Sequence, residues 1–95
     1  METKNTQQES PKVILCRARL QAAELRVRAA HQQDGAAAHF RQATHPIYEG
    51  QEEICAGKGN VIAGLAAQTR AQADLIEAEA EAAYKAATGQ EAPHA

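Results

Sequence analysis

Tryptophan is missing from this 95-residue chain, and only Phe40, Tyr48 and Tyr84 are aromatic. Proteins that bind nucleic acid by stacking need aromatic faces and a strong positive balance. The formal charge here is −2, so direct nucleic-acid binding is not expected. No apolar run approaches the ~20 residues that cross a bilayer as a helix, so no membrane contact is expected. The two cysteines, Cys16 and Cys55, have no C-x-x-C spacing, which argues against a disulfide framework or a thiolate metal site. Each falls in an apolar stripe, and the expectation is a pair of buried free thiols. No signal-peptide pattern precedes the first amphipathic stretch, so a cytoplasmic location is expected. Proline occurs only at positions 11, 46 and 93, which leaves two long stretches without a helix breaker.

Alanine fills those stretches. It accounts for 23 of the 95 residues, so the hydrophobic fraction overstates the material available for a core. A doublet recurs every seven residues: Ile47-Tyr48, Ile54-Cys55, Val61-Ile62, Gln68-Thr69, Leu75-Ile76 and Ala82-Ala83. A seven-residue step returns to the same side of an α-helix. The repeat runs across Gly57, Gly59 and Gly64, and it predicts one long helix over 46–88, either continuous or kinked at Gly57-Lys58-Gly59. Gly59, Ala66, Ala73, Ala80 and Ala87 form a parallel row of small residues, which suits close helix packing.

Upstream, Ser10-Pro11 is a helix start, serine capping and proline at the first helical position. The helix is expected to reach about Gln33, with Asp34-Gly35 as a stop. Residues 36–43 either form a short second helix or continue the first. His45 precedes proline and should break the chain. Residues 11–33 carry two apolar stripes. One is Val13, Cys16, Leu20, Ala23, Val27 and Ala30; the other is Ile14, Ala18, Ala22, Leu25 and Ala29. One stripe closes a hairpin, and a second asks for another partner. Residues 11–33 hold five basic side chains against one acidic, and residues 46–88 three against seven. Nets of +4 and −4 favour packing of the two helices on each other.

The expected architecture is all-α: a helical hairpin with a short connecting helix and one long C-terminal helix, dimerising as a helix bundle. Residues 11–88 form the single domain, between disordered tails at 1–10 and 89–95. Ile62, Ala66, Ala73, Ile76 and Ala80 are the candidate dimer-packing residues. Ile47, Tyr48, Ile54 and Val61 are the first candidates for contact with a protein partner, and Ile14 and Leu25 the second.

No pattern of catalytic or metal-binding side chains emerges, and no cofactor is expected. Lys58 between glycines lacks the upstream glycine and the following Ser or Thr of a phosphate loop. His31, His39 and His45 lack the three- or four-residue spacing of helical metal ligands. Glu77 and Glu81 share a helix face, Glu81 can pair with Lys85, and Arg70 with Asp74. The all-helical chorismate mutases are small helical dimers, but there the long helix comes first and carries arginines. The secreted helical hairpins of the WXG type carry a Trp-x-Gly turn, which is lacking here.

In length, alanine and glutamine content, two-sided first helix and long second helix, residues 11–88 resemble the small antiactivators of LuxR-type quorum-sensing regulators. The resemblance lies in architecture and not in a motif. It implies a non-catalytic, cytoplasmic homodimer that binds and inhibits a transcription activator by competing for its subunit interface. Two other readings are kept: a secretion-system chaperone or structural coiled-coil component, and a small helical dimeric enzyme.

Overall fold

The computed structural model describes residues 9–94, which form two long helices packed side by side. Helix α1 spans Pro11–Ala43, a short 3-10 turn spans Pro46–Tyr48, and helix α2 spans Glu52–Thr88. Helix α1 starts as its sequence predicts. Ser10 is extended, its Oγ accepts from the Val13 amide at 3.2 Å, and Pro11 stands in the first turn.

Helix α1 does not stop at Asp34-Gly35. It runs on through Ala43, so the second of the two options for residues 36–43 holds. The reason is tertiary: the buried positions Leu15, Ala22, Ala29 and Ala36 recur every seven residues across Gly35. Burial along that row outweighs the ~1 kcal/mol that one glycine costs a helix. The helix ends where Thr44 Oγ1 donates to the Arg41 carbonyl and His45 turns extended before Pro46.

The long helix begins later than the doublet repeat suggests. Ile47-Tyr48 belongs to the 3-10 turn, and Gly50 takes φ 90° before α2 opens at Glu52. Such a φ is strained for any residue with a Cβ. The connection reverses the chain within eight residues, 44 to 51, which a helix continuous from Pro46 would prevent. His45 organises this connection. Its Nδ1 accepts from the Ile47 amide at 3.2 Å, and its ring meets Tyr48 edge-on with centroids 6.3 Å apart. Beyond it, α2 is continuous through Gly57, Lys58 and Gly59. It closes on Gly89, whose left-handed backbone (φ 73°) lets its amide reach the Lys85 carbonyl at 2.8 Å.

The seam between the helices is narrow and built mostly of small residues. From α1 come Leu15, Ala22, Leu25, Ala29 and Ala36, and from α2 Cys55, Gly59, Ala66 and Ala73, all buried. Ile76 packs against the cluster of Ala22, Leu25 and Ala73. At the connector end the helices approach so closely that a Cβ on Gly59 would lie 2.7 Å from the Phe40 ring. Midway, Thr69 Oγ1 donates to Gln32 Oε1 at 2.9 Å.

The charge division of the sequence closes the other half. Arg26 reaches Asp74 at 2.9 Å and Glu77 at 2.8 Å, and Arg19 reaches Glu81 at 3.1 Å. The carboxylates Asp74 and Glu81 thus serve the opposite helix instead of Arg70 and Lys85 on their own. Lys85 pairs with Glu91 at 2.7 Å instead.

The principal extents are 67 × 31 × 16 Å and the radius of gyration is 20.3 Å. A compact domain of this length has a radius near ~12 Å. Two helices side by side make a layer one helix thick, so each helix can bury only one of its faces.

Candidate protein-interaction surface

The four middle doublets split between seam and solvent. The second members Cys55, Ile62, Thr69 and Ile76 turn toward α1 and are buried or half-buried, while the first members Ile54, Val61, Gln68 and Leu75 are exposed. Neighbours in a helix lie ~100° apart, so a doublet broad enough for two contacts offers one to the hairpin and one outward. The first members are joined on the outer face by Leu65, which is also exposed.

Helix α1 divides in the same way. The stripe containing Ala22, Leu25 and Ala29 enters the seam; Val13, Cys16, Leu20, Ala23, Val27 and Ala30 all stay exposed. The two stripes lie on nearly opposite sides of the helix, so only one meets α2. This corrects the expectation for one thiol: Cys55 is buried and Cys16 exposed, both free. Among the described residues ten large apolar side chains are exposed, from Phe40 at 38% to Ile47 at 76%, whereas Leu15 and Leu25 are the only leucines, isoleucines or valines buried. A soluble monomer normally keeps its largest apolar patches small, and here the outer faces carry more large apolar residues than the core.

Cationic groups flank the α1 stripe. Arg17 binds Glu9 in a bidentate pair, one arm at 2.6 Å. That pair holds the Glu9 carboxyl below its usual range and raises the Arg17 guanidinium, each chiefly through the shared hydrogen bonds. Arg26 is raised likewise, first by Asp74 and then by Glu77. Lys12 and Arg28 have no ion-pair partner among the described residues. Arg19 lies deeper, its side chain 18% exposed; its Nε is buried without a hydrogen bond and stands 3.8 Å from Glu77 Oε2.

The residues singled out from the sequence fall in three places. Ile47, Ile54 and Val61 are exposed, and Tyr48 is half-buried at the connector beside His45. Ile14 is exposed near the open end, while Leu25 is buried in the seam. Ala66 and Ala73 are buried, and Ile62, Ile76 and Ala80 half-buried. These five stand on the side of α2 that packs against α1 of the same chain, so the contact expected between copies is made within one. Leu20, Val27, Leu65 and Leu75 were not among the candidates. Their signal was the seven-residue spacing one step off the seam, which has meaning only once the seam is known.

Among the described residues, no three His, Cys, Asp or Glu stand together as a metal site. His39 Nδ1 lies 3.2 Å from Gln42 Oε1, and His45 caps the connector. Among the described residues no helix is long and apolar enough to cross a membrane. In comparisons with known proteins, no family model, curated protein or solved structure matches this chain.

Proposed function

We propose that this protein is a small non-catalytic regulator that binds a larger protein through its outer apolar faces. The observation that carries this reading is the unpartnered α1 stripe centred on Val13, Leu20 and Val27, all roughly half exposed or more. An amphipathic helix with such a stripe docks into an apolar groove or replaces a helix at a subunit interface. Lys12 and Arg28 along its edges favour a partner surface with an acidic rim. In the form that the architectural resemblance implies, the partner is a transcription activator, and the hairpin inhibits it by occupying its dimerisation surface. Ile47 and Tyr48 at the connector are a second, smaller apolar patch that a large partner would also reach.

The test is capture of partners from the native lysate by tagged wild-type chain and by a Leu20→Glu/Val27→Glu variant, with helicity checked by circular dichroism. The expected result is a near-stoichiometric transcription regulator bound by the wild type and lost from an equally helical variant. An exported subunit in its place would make the protein a secretion chaperone and overturn the inhibitor reading. Undiminished capture by the variant would remove α1 as the contact surface.

A further inference from the structure

The outer face of α2 carries its own pattern, independent of the α1 contact. Ile54, Lys58, Val61, Leu65, Leu75 and Glu79 lie along it at steps of three and four, with Gln68 and Gln72 filling the interval between Leu65 and Leu75, and every one is exposed. We propose that this face binds a second copy of the chain, α2 against α2, antiparallel about a two-fold axis near residue 68.

Three features of the face select that occupant. The first is charge. Lys58 and Glu79 have no ion-pair partner among the described residues, and they are placed nearly symmetrically about the proposed axis. Antiparallel pairing sets Lys58 of each copy beside Glu79 of the other, twice per dimer. A two-fold interface requires this reciprocity, in which residue i meets j and j meets i.

The second is shape. Beside the apolar row runs a row of small residues, Gly57, Gly64, Ala71 and Ala78. Turned end for end about the same axis, Val61 comes to face Leu75, and Ile54 faces Ala82. The apolar side chains thus meet across the axis, while the small row beside them lets the helices approach to the short end of the ~8–10 Å range. Gly57 and Gly64 have no steric reason within one chain, since a Cβ at either would meet nothing within 4 Å. Gly59, by contrast, is explained by Phe40.

The third is area. The face from Ile54 to Ala82 is about 42 Å long and about 12 Å wide. It would cover roughly 500 Å² on each copy and roughly 1,000 Å² in total, the size at which a specific interface becomes credible.

The experiment is analytical ultracentrifugation of the full chain across the micromolar range. The wild type is expected to be a dimer, and Val61→Glu/Leu75→Glu a monomer with its helical signal retained. Leu20→Glu should stay dimeric, which separates this surface from the α1 contact. Lys58→Glu should weaken the dimer about tenfold, as should Glu79→Lys, and the double exchange should restore it. The exchange series answers the question even if the double glutamate variant fails to fold. A monomeric wild type, a dimer that survives Val61→Glu/Leu75→Glu in folded protein, or a double exchange weaker than either single change would overturn the proposal. If Leu20→Glu were the variant that dissociates the dimer, the self-association surface would be α1.

Discussion

Glycine at two positions shows how differently one residue type acts in this hairpin. Gly35 sits inside α1, and a Cβ there would meet only Ile62 Cγ2 at 3.9 Å, an ordinary contact. Gly35→Ala should therefore raise stability by about 1 kcal/mol, the helix propensity difference. Gly59 lies under the Phe40 ring, where a Cβ would fall within 2.7–2.9 Å of three ring atoms. Gly59→Ala gains the same propensity but must displace the ring, at about 1–3 kcal/mol for overpacking. Thermal unfolding of both variants should show opposite signs. Equal stabilisation would mean that the ring moves aside freely and the seam is looser than its geometry.

At the scale of elements, the helix ends are set by local chemistry that titrates. Helix α2 has no side-chain cap at Gln51, and Glu52 takes over. Its carboxylate accepts from the Gly50 amide at 3.0 Å. Hydrogen bonds from its own amide and then from Gly50 hold the Glu52 carboxyl below its usual value. A carboxyl with a lowered folded pKa stabilises the fold above its unfolded pKa, and that contribution is lost as pH falls through the folded value. Glu9, lowered by Arg17, acts in the same direction. The raised arginines contribute everywhere below their ordinary value and lose it only in strong alkali. The melting temperature should therefore fall as pH drops through and below about 4.5. Glu52→Gln keeps an acceptor for Gly50 but no longer titrates, so its acid slope should be shallower. An identical slope would mean that the carboxylate does not anchor the helix start.

The whole molecule is held shut by a seam of alanines along its length and an ionic clasp over one half. Arg19 is the deeper member of that clasp, its side chain largely shielded from solvent and paired with Glu81. Arg19→Ala should cost about 1–2 kcal/mol, through the lost burial of its stem and a Glu81 left without its partner, and depend weakly on salt. Arg26 pairs at the surface, so Arg26→Ala should cost less than Arg19→Ala, and most of that cost should vanish in high salt. Denaturant unfolding at low and high salt distinguishes them, and equal costs with equal salt dependence would refute the ranking. The flatness of the hairpin is also a whole-molecule property. One layer of two helices leaves Val13, Leu20 and Val27 on one outer face and Ile54, Val61 and Leu75 on another.

Much of this was legible in the residues themselves. Ser10-Pro11, His45-Pro46 and Gly89 mark boundaries through short-range capping and steric rules, and the seven-residue repeats identify helices. The opposite charges on the two segments correctly paired α1 with α2, because complementary nets on adjacent helices need no knowledge of register. Tertiary structure decided the rest. Local propensity would end α1 at Gly35, and only the seam across Ala36 carries it to Ala43. The doublet repeat would start α2 at Pro46, and only the chain reversal at Gly50 delays it to Glu52. The small row of Ala66 and Ala73 and the doublet beside it are equally periodic in sequence. Which of them faces α1 depends on how closely two particular helices can approach, a distance set by both surfaces together and written in neither alone.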